Sequence, residues 1–544
     1  MTQLDTEIVI VGAGLAGCTA ALEAANAGCK VILLSKILPI HSHSVSARGG
    51  MNVAVNEQSA AQHVNDTLKS GAGVENREAV EYMCNHAIET LHWFETLGVH
   101  FDKAEDGSYK TKKFGGCSSS RACFVKGRTG LTLMNTLLKH IRKHPQITVI
   151  DQIHVSDLVK QNERVVGICG WHKRDGAAVN VYADAVVLAT GGGLNVYKET
   201  TNAVATTGDG LAMALRAGAA LKDMEFVQFH PLGLGHTGIQ VPEPVLGAGG
   251  YLRNSLGERF MQRYEPQQME LAGRDKVSIA IERELQRLGD DVVYLDLRHI
   301  DEEQQFALQE ARSLVGTFLG LDIGADLIPV RPSAHYLMGG IACDLDGQAE
   351  NAQGQIIPGL FAVGEAACSG VHGANRIGGN SLLEVVVYGR RVGRAVCAQR
   401  GQSPEIASAY APTIFVQQSD SAAKTPSEIL NQLQLSMSNF AGVIRCEAGL
   451  KTHIAFLNQL KITALNLKLT DDSITYNQER ASRQELMNML DVALAISLAA
   501  MARTQSLGAH YREDDLTEHH PIKYNTCVYL NDKQLQVMQR VADI

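Results

Sequence analysis

The chain has 544 residues, 45% of them hydrophobic and 20% charged, a balance that suits a large folded protein with ample core. A net charge of −9 with no basic block argues against nucleic acid as its main partner. The 11 cysteines are scattered, without the CxxC or paired Cys/His spacing that would hold zinc or an iron–sulfur cluster, so no metal ligands are assigned and the thiols read as reduced.

The first element begins at Glu7, so no cleaved leader is expected. "EIVIVGAGLAGCTAALEAANAGCKVILLSK" predicts strand, glycine turn, helix and strand. In that setting Gly12 permits the tight turn, Gly14 lets a pyrophosphate approach the backbone, and Gly17 lets the helix pack on the sheet. The helix start offers free N–H groups and a positive dipole to the phosphates. The acidic residue that would hold an NAD ribose is replaced by Ser35, followed by Lys36, which argues against NAD. Next comes "IHSHSVSARGG", with His43 between two serines, then Arg48, Gly49 and Gly50. "ADAVVLATGGG" (183–193) predicts a buried strand ending in a glycine turn. "GLFAVGEAACSGVHGANRIGGNSLLEVVVYGRRVG" (359–393) predicts another strand and turn leading into a helix. Either segment alone would be an ordinary strand end of an α/β sheet. Together with the first turn they predict walls for one long dinucleotide, FAD. Residues 425–507 show helical periodicity. Their most apolar stretch, "MLDVALAISLAAMA", falls short of the roughly 20 residues of a membrane span and contains Asp491.

From about residue 5 to about residue 515 the chain resembles the flavoprotein subunit of succinate dehydrogenase and fumarate reductase. The motifs that carry the resemblance are "SHSVSARGG", "KFGG", "TGDG", "QFHPLG", "GGYLRNSLGERFM", "LAGRD", "HYLMGGI", "GEAACSGVHGANRIGGNSLLE" and "RTQSLGAHYRED". The resemblance implies FAD bonded covalently through His43, and hydride transfer between a dicarboxylate carbon and flavin N5. It implies substrate-binding roles for His230, His335, Arg376 and Phe114, and proton transfer through Arg274 and Glu243. Ser35, Lys36, Ser44, Gly49, Gly50, Asp209, Glu365, Ser381 and Leu382 join Gly12, Gly14, Gly17 and His43 as expected cofactor contacts. The fold implied is α/β. Its discontinuous Rossmann-like FAD-binding domain (1–231 and 341–400) carries an inserted α+β capping domain (232–340). A linker and helical domain (401–510) and a C-terminal tail (511–544) follow. The expected partners are an iron–sulfur subunit and membrane-anchoring, quinone-reactive subunits. These would place the chain in the cytoplasm, peripheral on the inner face of the membrane. Two other readings are an L-aspartate oxidase-like flavoenzyme, which His43 argues against, and a catalytically impaired flavin-binding subunit with an assembly or regulatory role.

Three departures accompany the resemblance. Where the family has a segment close to "TEGCRGEGG", this chain has "PEPVLGAGG". Glu243 remains, but Pro242 stands at the substrate-binding threonine and Leu246 at the relay arginine. A lost hydroxyl contact to a carboxylate costs roughly 1.5–3 kcal/mol, and leucine passes no proton. Arg48 takes a position that is usually glutamine or glutamate in the family. A cation there is expected to favour reduced flavin.

Overall fold

The computed structural model describes residues 2–55, 57–242, 244–301, 308–402, 424–516 and 523–541. At its centre is an eight-stranded sheet. Strand β1 (Thr2–Val11), helix α1 (Leu15–Asn26) and strand β2 (Val31–Leu34) form the first unit. β1 lies between β2 and the strand Ala178–Leu188, parallel to both, with Val9 opposite Ile32 and Val186. β2 continues to Ile147–Ile150, and Ala178–Leu188 to Ile356–Ala362, again in parallel. Distant segments therefore share one sheet edge, as the glycine-ended strands predict.

The apolar runs are continuous because the sheet is covered on both faces. Ile8, Ile10, Ala185 and Val187 enter one core, and Val9, Val11, Val186 and Leu188 enter the other. On the first face α1 is buried from Leu15 to Ala25. The helix Asn380–Ala395 packs against it closely, since a Cβ on Gly393 would come within 2.6 Å of Ala20 O.

Between these segments lies a second body. Val227–Leu234, Ile328–Leu337, Val293–Asp296 and Tyr251–Arg253 form a four-stranded antiparallel sheet. The helix Arg274–Leu288 covers it, and its own apolar core draws on residues from Leu232 to Val330.

The C-terminal part begins with three helices, Pro426–Phe440, Glu447–Leu465 and Gln478–Ala502. The first has a full capping box, with Thr425 Oγ1 accepting from Glu428 N and the Glu428 carboxylate accepting from Thr425 N. Among the described residues Gln478–Ala502 is the one helix long and apolar enough to cross a membrane, yet 72% of its apolar window is buried inside the protein. Most of the predicted linker lies outside the described residues. The predicted C-terminal tail is corrected in part. Tyr524–Asn531 and Gln534–Val541 form a hairpin that extends a five-stranded sheet, with Leu221 opposite Val528. Tyr524, Thr526, Cys527 and Val528 are buried while the second strand is not, and a local pattern of this kind does not reveal a partner strand as remote in sequence as Leu221.

A buried ion pair ties this part to the rest. Arg503 Nε donates to Glu225 Oε1 at 2.6 Å and Nη2 to Tyr524 O at 2.7 Å, and its guanidinium faces the Phe226 and Tyr524 rings. Both charged side chains are almost fully excluded from solvent. Arg503→Ala, by stranding Glu225, is expected to cost about 3–5 kcal/mol in equilibrium unfolding. Adding Glu225→Gln should return part of that loss.

Candidate active site

The strand ends, the loop after β2 and the antiparallel sheet enclose a cavity of about 530 Å³. The glycines at its floor are required by space. Gly12 has φ +110°, and a Cβ there would collide with Ala189 O; a Cβ on Gly17 would collide with Gly12 O. The cavity therefore meets bare backbone at the N-terminus of α1, where the N-cap Gly14 supplies no side-chain cap. Ser44 Oγ accepts from Leu15 N at 3.1 Å. This end of the cavity fits an anionic group such as a pyrophosphate.

Most of the expected cofactor contacts lie on the wall: Gly14, Ser35, Lys36, His43, Ser44, Gly49, Gly50, Asp209, Glu365, Ser381 and Leu382, with Gly12 at the turn. Gly17 is set back, where it lets the helix close on the turn. Lys36 Nζ is 2.7 Å from Asp209 Oδ2 and 3.0 Å from Glu485 Oε1. Burial opposes ionisation of Asp209, but Lys36 outweighs it and holds the carboxyl at about 2. Two expected contacts thus fix each other. At Glu365 burial outweighs the Leu337 N–H and the field of Arg376 and pushes the carboxyl up to about 7. It accepts from Leu337 N at 3.1 Å and has acceptor capacity that suits hydroxyl donors. The bare helix end, the glycine floor and this carboxyl fit a dinucleotide such as FAD.

His43 heads a short 3₁₀ turn, His43–Ser46. Burial pushes its imidazole down to about 4, so it is neutral at pH 7. Ala203 N donates to its Nδ1 at 3.3 Å. Arg48 differs from expectation. Its half-exposed guanidinium pairs with Glu310 at 2.8 Å, joining the loop after β2 to the helix Gln309–Leu319 across the cavity. A carboxylate alongside offsets the field the arginine would place on a flavin.

Beyond the loop the wall carries Phe114, Arg274, His335 and Arg376. Phe114 fills the space left by two glycines: a Cβ on Gly49 would lie 2.6 Å from its Cζ, and one on Gly378 3.0 Å from its Cδ1. Arg376 is buried over the Tyr336 ring, 4.5 Å from its centroid, and donates to Ser381 Oγ at 3.0 Å. Arg274 starts its helix, at the positive end of the dipole, the unfavourable end for a cation. Gln228, which motif reading left without a role, joins the two. Its Oε1 accepts from Arg376 Nη2 at 2.9 Å and from Arg274 Nη1 at 3.5 Å. Its Nε2 donates to Asn375 Oδ1 and Arg376 O, both at 2.8 Å, so the amide orientation is determined. His335 Nδ1 is 2.8 Å from Thr201 Oγ1, and burial together with Arg376 holds its pKa well below the usual range.

Two expectations change. His230 is fully buried and is not part of the cavity wall; its Nε2 is 3.0 Å from Gln240 Nε2, and Gln240 is on the wall instead. Leu246 is packed in the core of the antiparallel body, away from the cavity. Glu243 lies outside the described residues. Pro242 does line the cavity. A buried network also went unread: Asn52 Nδ2 donates to Gly378 O at 2.8 Å and to Asn380 Oδ1 at 2.7 Å, which also receives His63 Nε2. It anchors the turn before the helix Asn380–Ala395, and only tertiary structure brings these residues together.

A bare helix N-terminus, a glycine-floored cavity and a cluster of cations beside it define a flavin-dependent oxidoreductase. An FAD binding domain model matches residues 7–382, and a model of the fumarate reductase flavoprotein C-terminal region matches 430–539. The chain is 36% identical to the fumarate reductase flavoprotein subunit of Haemophilus influenzae, over 98% of this chain and 93% of that protein. It is also 36% identical to the succinate dehydrogenase flavoprotein subunit of Rickettsia bellii, over 93% and 90%. The structure superimposes on a mutant FrdA chain of E. coli quinol fumarate reductase with a TM-score of 0.92 and 33% identity, covering 100% of this chain and 98% of that one. The chain belongs to the succinate dehydrogenase/fumarate reductase flavoprotein subunit family.

The packing of Leu246 generates a prediction about its replacement by the relay arginine. Leu246→Arg should destabilise the protein by about 2–3 kcal/mol in thermal or denaturant unfolding and give no gain in turnover. Faster turnover at unchanged stability would mean that the side chain reaches the cavity.

Proposed function

We propose that this subunit interconverts succinate and fumarate and exchanges electrons with quinone through a separate iron–sulfur subunit. The observation that carries the reading is the convergence of Arg274 and Arg376 on Gln228 Oε1, on the same cavity wall as His43. FAD, when bound, supplies hydride chemistry at its N5. The cation cluster does the rest. A dicarboxylate dianion needs fixed donors that do not have to reorganise, and Arg376 offers a planar fork held by Gln228, Ser381 and Tyr336. His335 is a neutral donor on the same wall, and Phe114 packs beside them and excludes water. Arg274 holds the proton exchanged at the carbon next to the one that exchanges hydride. A free guanidinium is a poor acid, so it acts as one member of a relay, with Glu243 proposed as the next.

We assign covalent attachment of FAD to His43. Its ring is neutral at pH 7, and the Nδ1 lone pair is engaged by Ala203 N–H, the pattern of a ring substituted at Nε2. The electron exit needs partner chains: an iron–sulfur subunit and membrane-anchoring, quinone-reactive subunits that hold this chain on the inner face of the membrane. A catalytically impaired assembly subunit would retain the flavin cavity but would not need Arg274 and Arg376 held by a common acceptor. Steady-state oxidation of succinate with an artificial acceptor separates the two readings.

The His43 assignment predicts that denatured protein keeps its flavin fluorescence on a gel. His43→Ser should lose that signal while still binding FAD. Release of all flavin by acid precipitation of the native protein would refute the attachment.

The two arginines should separate kinetically. Arg274→Ala should cut turnover by about 10²- to 10⁴-fold and leave dicarboxylate binding nearly intact, whereas Arg376→Ala should weaken binding as well. Equal, mild effects from both substitutions would reject these roles.

A further inference from the structure

The cavity wall carries a polar group that neither the motifs nor the proposed roles use, the amide of Gln240. Its position is built into the backbone. After Gly235 the chain turns back on the strand Val227–Leu234, so that Gln240 bridges Gly233 and Val241 N donates to Leu232 O at 2.9 Å. This sets the Gln240 side chain against the fully buried His230 ring.

The hydrogen bonds decide which way the amide points. Leu232 N donates to His230 Nδ1 at 3.2 Å, so Nδ1 is the ring's acceptor and Nε2 carries the proton. A protonated Nε2 cannot accept from an amide NH₂ 3.0 Å away. The amide oxygen must therefore face His230, because oxygen and nitrogen of a glutamine are assigned from the network around them. That orientation frees both N–H groups of Gln240 for the cavity.

We infer that Gln240 is a substrate-binding and specificity-determining residue, donating its amide N–H to one carboxylate of the dicarboxylate, and that His230 acts behind it as a positioning residue. The inference rests on the dicarboxylate reading above. It explains how the site keeps a donor where Pro242 has no hydroxyl to offer, since Gln240 and Pro242 are both on the wall. The ring of His335, its centroid 5.4 Å from that of His230, lines the cavity beside it and can share the same carboxylate.

The test uses the FAD-loaded full chain and malonate, with binding read as a change in the flavin spectrum and turnover measured with succinate. Loss of one hydrogen bond to a charged group predicts that Gln240→Leu weakens malonate binding about 10- to 100-fold. The KM for succinate should rise in step, with kcat within about threefold, because a contact made equally in ground and transition states acts on binding alone. His230→Phe, which removes the donor that orients the amide, should raise KM in the same way but by less. Acetate, with one carboxylate, should lose less affinity than malonate in Gln240→Leu. If malonate binds the wild type and Gln240→Leu binds it equally well, the inference fails and the dicarboxylate reading stands. If the wild type binds neither malonate nor succinate, both fall together. A fall in kcat at unchanged KM would also overturn the inference, since it would place Gln240 in the chemical step.

Discussion

The close approach of three backbone segments, made possible by Gly12 and Gly17, is the contact on which the rest of the structure depends. A side chain on Gly12 would strike Ala189 O, and one on Gly17 would strike Gly12 O. With only hydrogen atoms there, β1, α1 and the end of the strand Ala178–Leu188 meet at a single point, and the helix dipole is aimed into the space beyond the sheet edge. The cavity lies at that edge. Its other walls, including Glu365 and the turn before the helix Asn380–Ala395, are brought there by parallel pairing of Ile356–Ala362 with Ala178–Leu188.

Charge is organised differently at the two ends of this cavity. Near β2 the cation Lys36 is held between two carboxylates, Asp209 and Glu485, so its charge is fully offset by its partners. Toward the antiparallel sheet, Arg274 and Arg376 share the neutral acceptor Gln228, whose orientation is set by its own donors. A neutral acceptor positions the guanidinium groups without itself cancelling their charge. Arg48 and Glu310 join the two bodies at an exposed pair, which by itself contributes little to stability.

The departures from the family pattern affect the structure unequally. Leu246 belongs to the apolar core of the antiparallel body, so its hydrophobic character serves packing. Pro242 faces the cavity, and two residues earlier Gln240 brings an amide to the same wall.

Much of this was legible in the amino-acid sequence. The strand–turn–helix start, the glycine-ended strands, the helical C-terminal region and the family motifs follow from local periodicity and from residue types that special backbone geometry demands. Gly12, His43, Arg376 and Glu365 could be named because each sits in a distinctive local pattern. The sequence carried no sign that His230 lies behind Gln240, that Arg48 meets Glu310, or that the strand Tyr524–Asn531 pairs with Leu221–Lys222. These outcomes depend on which side chain occupies a shared volume once remote segments pack. Only tertiary structure decides that, because the energy of a buried contact depends on its partners and on the water it excludes, and a local pattern specifies neither.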